Sequence, residues 1–156
     1  MLTKKFFATL KTKIFLIFFV LEVLKLGAKM TIDFDTYQKQ TNSYALYPKE
    51  DPLISLSYLT LGLTGESGEV AEVLKKLIRK RVPVSEVLSK DPEAVHEEYA
   101  ELRKKTREHL ASEMGDVLWY LAQLAEQCGF SLQNIAQANL LKLAERQRTN
   151  TIQKLD

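Results

Sequence analysis

The feature that most constrains the fold is the spacing of apolar residues, which from residue 32 onward follows the three-to-four-residue period of an α-helix. No stretch combines sustained alternation of apolar and polar residues with the dipeptides that mark hairpin turns. Glycine and proline instead separate helical segments. The pattern therefore predicts an all-α, four-helix-bundle-like fold.

Local end signals place four helices in this part of the chain. Asp51 followed by Pro52 is typical of a helix N-cap and first turn, Ser131 is a second N-cap, and Gly129 is a C-terminal glycine cap. The predicted helices cover residues 34–47, 52–81, 92–128 and 131–148, the third either continuous or broken along its length. Residues 82–92 form a connection, and a frayed tail is predicted over 149–156.

Residues 1–29 are interpreted as a separate N-terminal extension, and residues 30–156 as the helical domain. Lysines precede an apolar run over residues 14–21, which is far shorter than the roughly 20 residues that span a bilayer. Two interpretations stay open: Met30 is the working start codon, or the extension is a signal-like or interfacial helix. Membrane contact through residues 1–29 is an open but disfavoured alternative.

Composition excludes several kinds of protein. The net charge of +2 is nearly balanced, with no long basic block, which argues against a nucleic-acid partner. The single cysteine, Cys128, excludes an intramolecular disulfide and a multi-cysteine zinc site, and is typical of a reducing, cytoplasmic setting.

Two of the predicted helices carry the same anomaly, an acid in the middle of the apolar stripe and a second acid about 60° away around the axis. The repeated elements are Leu63-x-x-Glu66-x-Gly68-Glu69-Val70 and Leu110-x-x-Glu113-x-Gly115-Asp116-Val117. Removing a carboxylate from water costs several kcal/mol unless it is compensated. If the stripes pack together, four carboxylates converge, and Mg²⁺, with Mn²⁺ as a substitute, is the natural ligand. The alternative is that the acids simply reach solvent at the end of the bundle.

The matching glycines, Gly68 and Gly115, indicate close approach of a neighbouring backbone or a ligand, since glycine within a helix costs about 1 kcal/mol relative to alanine. On the fourth helix, Asn139, Lys142 and Arg146 border an apolar stripe. An amide and two cations suit phosphate oxygens, although cations near a helix C-terminus also simply favour the helix dipole.

These segments resemble a known family. Residues 62–72 (GLTGESGEVAE), 113–121 (EMGDVLWYL) and 139–143 (NLLKL) are similar to those of MazG-like nucleotide pyrophosphohydrolases, a resemblance that covers residues 32–148. It implies a Mg²⁺-dependent enzyme that hydrolyses a nucleoside triphosphate to a monophosphate and pyrophosphate. It also implies an all-α homodimer or homotetramer with sites completed between subunits.

The same resemblance assigns roles residue by residue. It implies that Glu66, Glu69, Glu113 and Asp116 are magnesium ligands, that Asn139, Lys142 and Arg146 bind substrate, and that Tyr120 stacks on the base. One carboxylate could instead act as a general base, for which Glu69 is the preferred candidate. A charged insertion around residues 79–108 departs from compact members and is predicted to form a solvated helical extension.

Two other functions stay open at this stage. A di-iron carboxylate bundle needs two Glu-x-x-His pairs, and only Glu93-x-x-His96 qualifies; His109, one turn before Glu113, is the other histidine that could touch the site. The second alternative is a helical assembly or regulatory module that binds metal only structurally.

Overall fold

The described part of this computed structural model comprises residues 32–149 and residue 151, and it contains helices and no strand. The α-helices are α1 (Phe34–Thr41), α2 (Pro52–Arg79), α3 (Val84–Val87), α4 (Ala100–Gln127) and α5 (Leu132–Arg148). Short 3₁₀ turns cover Asn42–Tyr44, Pro92–Ala94 and Glu97–Tyr99. The all-α prediction is confirmed. The predicted extension at 1–29 and most of the predicted frayed tail lie outside the described residues.

The predicted caps are present where local chemistry requires them. The Asp51 carboxylate accepts hydrogen bonds from the backbone N–H groups of Leu53 and Ile54, at 2.8 and 3.3 Å. The Ser131 hydroxyl accepts from the Asn134 N–H at 3.1 Å. Gly129, with φ of 72°, has the left-handed conformation that ends α4. Helices α2 and α5 therefore lie within two residues of their predicted bounds.

The first helix is shorter than predicted, ending at Thr41 instead of residue 47. Side-chain hydroxyls offer the backbone an alternative to the helical pattern here. The Thr41 hydroxyl donates to the Gln38 carbonyl at 2.9 Å, and the Ser43 hydroxyl donates to the Gln40 carbonyl at 2.7 Å. The chain then passes through a 3₁₀ turn and an extended residue, Ala45.

The third predicted helix corresponds to α4, which begins at Ala100 and not at residue 92 as predicted. Two 3₁₀ turns replace the predicted first turns of this helix. The backbone is extended at His96 because a residue earlier in the connection binds it there. The Glu86 carboxylate accepts from the His96 backbone N–H at 2.5 Å and lies 2.6 Å from the ring Nδ1. The backbone N–H is therefore unavailable to a helix.

The charged insertion is only partly the solvated extension that was predicted. Val87 of α3 is fully buried, and two arginines of α4 donate to a carbonyl of the connection. Arg103 and Arg107 reach the Ser89 carbonyl oxygen at 3.2 and 3.3 Å. The connection is therefore folded back against α4.

The fold is built around α2 and α4, each 28 residues and so about 42 Å long. Helix α1 packs against α4 and α5. The cluster of Ala122, Ala125 and Leu132 is covered by Tyr37 and Leu118. No helix among residues 32–149 is both long and apolar enough to cross a membrane.

Candidate active site

Packing of α2 on α4 brings three carboxylates together. Glu66 of α2 and Glu113 and Asp116 of α4 each offer an oxygen that lies within 4.8 Å of the other two. Glu66 and Glu113 are half-buried, whereas Asp116 is exposed. The structure thus gathers three of the four predicted metal ligands, which together form the carboxylate cluster.

Among residues 32–149, the charge of the cluster is not neutralised by lysine or arginine. No lysine or arginine of the described residues forms an ion pair with any of its members. Burial raises the pKa of Glu66, and the negative charges of Asp116, Glu113 and Glu69 raise it further. Carboxylate oxygens are the ligands that a hard divalent cation prefers. A bound cation would remove the repulsion that raises this pKa, so the donor set fits such an ion.

Glu69, the fourth predicted ligand, lies one turn along α2 and is exposed. It is outside the carboxylate cluster, yet it is near enough for its charge to raise the pKa of Glu66. His109 does contact the site: its Nδ1 lies 3.0 Å from Oε1 of Glu113.

Tyr120 lies beside the cluster but is packed into an aromatic group. Its ring meets Trp119 edge-on, with centroids 4.9 Å apart, and Tyr58 is 6.4 Å away. Burial raises the pKa of Tyr120, followed by a hydrogen bond with Tyr58 and by the charges of Glu66 and Asp116. Tyr120 therefore lies close to the carboxylates, and its stacking on a base stays a prediction.

The close helix approach is found at a different glycine from those predicted. A Cβ on Gly68 or Gly115 would meet no described atom within 4 Å, so no neighbour within the described part of the chain requires glycine there. A Cβ on Gly62 would instead overlap the Tyr120 ring, lying within 2.6 Å of Cδ1 and closer to two other ring atoms. Gly62 therefore allows the Tyr120 ring to lie directly on α2.

Tyr37 of α1 is a neighbour of the site that sequence reasoning missed. Burial raises its pKa, and the charge of Asp116 raises it further. Tyr37 precedes Asp116 by more than half of the described chain, and no spacing pattern links them. Only the packing of α1 on α4 brings them close.

The predicted phosphate-binding residues lie apart from the carboxylates. Asn139 and Lys142 line a cavity of about 570 Å³ whose other walls are mainly apolar, including Leu118 of α4, and Arg146 is exposed farther along α5. Leu118 follows Asp116 by two residues, so it lies about 160° away around α4. No hydrogen bond or ion pair between described residues joins Asn139, Lys142 or Arg146 to the cluster.

Comparison with known proteins decides the family. Residues 55–151 match the MazG nucleotide pyrophosphohydrolase domain. The chain belongs to the MazG family. The family prediction is confirmed, and the MazG match includes α4, most of α2 and all of α5, so it contains every residue of the carboxylate cluster.

A phage protein is also similar over most of its length. The Gene 37 protein of Mycobacterium phage L5 is 37% identical over 122 residues, which cover 76% of this chain and 92% of the phage protein. Its name states no activity. No solved structure matches this MazG-family chain significantly.

Proposed function

We propose that this chain is a Mg²⁺-dependent nucleoside triphosphate pyrophosphohydrolase. It converts an NTP or dNTP and water to the corresponding monophosphate and pyrophosphate, and Mn²⁺ can replace Mg²⁺. The observation that carries the proposal is the convergence of Glu66, Glu113 and Asp116 in a chain of the MazG family. The proposed setting is the cytoplasm, and the proposed catalytic domain is 30–156.

The residues divide the chemistry between them. A divalent cation held by the carboxylate cluster would neutralise phosphate oxygens and lower the pKa of a bound water. Glu69 is exposed beside the cluster and free of an ion pair among the described residues, so it can join as a ligand or accept the proton of the attacking water. Tyr120, close enough to Glu66 and Asp116 to feel their charges, is the proposed stacking residue for the base.

We infer that the enzyme is a homodimer or homotetramer with each site completed by a second subunit. Asn139, Lys142 and Arg146 are the proposed triphosphate-binding residues. Within one chain, however, the cavity lined by Asn139 and Lys142 lies on the side of α4 away from Asp116. A second copy can supply them to the first copy's carboxylates.

Exposed apolar residues support this assembly. Leu61 on α2 and Leu141 on α5 are each 73% exposed, and Met114 on α4 is 57% exposed. Such exposed apolar side chains are available to a contact with a second copy, as at the apolar patches that mark association sites. The open space above Gly68 and Gly115 would also let another backbone approach α2 and α4 closely.

The test of activity is pyrophosphate release from a panel of nucleoside triphosphates with Mg²⁺. Glu69→Gln and Asp116→Asn should each abolish release while the helical circular dichroism spectrum is unchanged. Glu72→Gln is the matched control, because Glu72 lies on the same helix but pairs with Lys75. Full activity in both site variants would defeat the assignment. No pyrophosphate release from any nucleotide by the wild type would favour a non-catalytic module.

The test of assembly is complementation between two inactive variants. Asp116→Asn lacks a carboxylate and Lys142→Ala lacks a cation, so each is expected to be inactive alone. If sites form between subunits, refolding them together should restore about a quarter of the wild-type sites in a dimer, because half of the dimers are mixed and each mixed dimer has one intact site. No recovery from a mixture that does form mixed oligomers would refute shared sites.

The di-iron alternative gains no support from these contacts. The single Glu-x-x-His pair contains His96, which binds Glu86 in the connection. His96 is not one of the residues of the carboxylate cluster.

A further inference from the structure

Among the described residues, Glu113 has one polar side-chain partner outside the carboxylate cluster. The Nδ1 atom of His109, one turn earlier on α4, lies 3.0 Å from Oε1 of Glu113. Nδ1 is the ring nitrogen that faces the carboxylate, and it can carry a hydrogen toward an oxygen that only accepts. The His109 side chain is 49% exposed, whereas that of Glu113 is 14% exposed.

The other histidine of the chain shows what a purely structural His–Glu pair looks like. His96 and Glu86 are ten positions apart, and Glu86 binds both the ring and the backbone N–H of His96. That pair fixes the course of the connection. His109 and Glu113 belong to the same helix, so their contact joins no separate segments and adds no tertiary restraint.

The contact does oppose a force that acts on Glu113. The carboxylates of Glu66 and Asp116 lie close by and repel it, and no lysine or arginine of residues 32–149 pairs with it. Without a donor, the repulsion would favour rotamers that carry the carboxylate away from its neighbours. The His109 ring, in contact with Oε1, limits those rotamers, and a carboxylate has about four lone-pair sites, so this one contact leaves capacity for an ion.

We propose that His109 is a positioning residue that holds the Glu113 carboxylate in the orientation that binds a divalent cation. This inference rests on the proposed metal site. Residues that hydrogen-bond to a metal ligand orient it before the ion arrives, and their loss lowers metal affinity. His109 therefore contributes to ion affinity without touching the ion.

The test measures Mn²⁺ binding to the full chain without nucleotide, from the loss of the free-ion signal in electron paramagnetic resonance. His109→Leu keeps bulk but removes the donor, and should weaken Mn²⁺ binding about tenfold or more. His109→Asn places an amide N–H near the original Nδ1 position and should restore most of the affinity. His96→Asn, the matched control, should bind like the wild type, and Glu113→Gln should bind far more weakly.

The outcomes separate this inference from the proposed function. Wild-type binding that is lost in Glu113→Gln but unchanged in His109→Leu would overturn the positioning role and leave the metal site standing. Absence of Mn²⁺ binding by the wild type would overturn both. His109 is half exposed, so its variants should fold. If His109→Leu aggregates, His109→Ala gives the same comparison with Asn, and equal affinities for those two would also overturn the inference.

Discussion

The contact between Gly62 and Tyr120 leads to a quantitative prediction for Gly62→Ala. A methyl group at residue 62 would fall within 2.6 Å of the ring atom Cδ1, and closer to Cε1 and Cζ. Ordinary van der Waals contacts need at least 3.4 Å, so the ring must move by about 1 Å or rotate away. Trp119 packs on the ring at 4.9 Å between centroids and limits that movement.

The expected cost is the difference between two opposing effects. Overpacking of this kind costs about 1–3 kcal/mol, whereas replacing glycine by alanine within a helix gains about 1 kcal/mol. Gly62→Ala should therefore lower the free energy of unfolding by about 0–2 kcal/mol. Gly65→Ala is the matched control on the same helix, because a Cβ there meets nothing within 4 Å. It should raise the free energy of unfolding by about 1 kcal/mol.

The assay is urea denaturation followed by circular dichroism, with each glycine variant also made in a Tyr120→Ala background. Once the ring is absent, Gly62→Ala should become stabilising, like Gly65→Ala. The two changes at 62 and 120 should thus show a coupling energy of about 1–3 kcal/mol. If Gly62→Ala stabilises the wild-type chain as much as Gly65→Ala does, the reasoning from the Tyr120 contact is refuted.

Two further substitutions test the electrostatics of the site and the polar core. The pKa of Glu66 is raised in the folded chain, so without metal the ionisation of Glu66 should cost stability as pH rises from its ordinary pKa of 4.5 through the raised pKa. Glu66→Gln should lack this loss and should melt at a higher temperature than the wild type in EDTA at pH 7. If the difference in melting temperature between the two proteins is the same from pH 5 to 7, the raised pKa of Glu66 is contradicted. Gln38→Ala removes an amide that donates to Glu126 and the Phe130 carbonyl and accepts from the Leu132 N–H. It should cost about 2 kcal/mol in urea denaturation, since groups partly buried around it lose their partners, and an unchanged midpoint would show that water replaces the amide.

The parts of the fold that the sequence predicts well depend on neighbours in the chain. The Asp51 and Ser131 caps each bind an N–H two or three residues away, and Gly129 ends α4 through its own backbone conformation. The repeated acids follow from helical periodicity in the same way. Packing of α2 on α4 by their apolar faces then brings Glu66, Glu113 and Asp116 together.

The parts that were missed depend on contacts between distant residues. The start of α4 is set by Glu86 holding His96, and no propensity near residue 92 reveals that contact. The same holds for glycine. Gly68 and Gly115 were predicted to mark a close approach because they occupy matching positions in the two repeated elements. The close approach is instead at Gly62, where the Tyr120 ring of another helix leaves no room for a Cβ. Sequence periodicity predicts which face of a helix is buried. It does not predict how closely a side chain of the neighbouring helix approaches that face.

The arrangement of α2 explains how a helix pair tolerates repelling carboxylates. Leu59 and Val73 are each seven residues, about two turns, from Glu66 and so lie on nearly the same face. Leu59 is fully buried and Val73 is 4% exposed. Apolar contacts therefore hold α2 on both sides of the acid, and the repulsion at Glu66 acts between two fixed points. A cation at the proposed site would accordingly relieve strain in a domain that is already folded, unlike the small metal domains whose folding requires the ion.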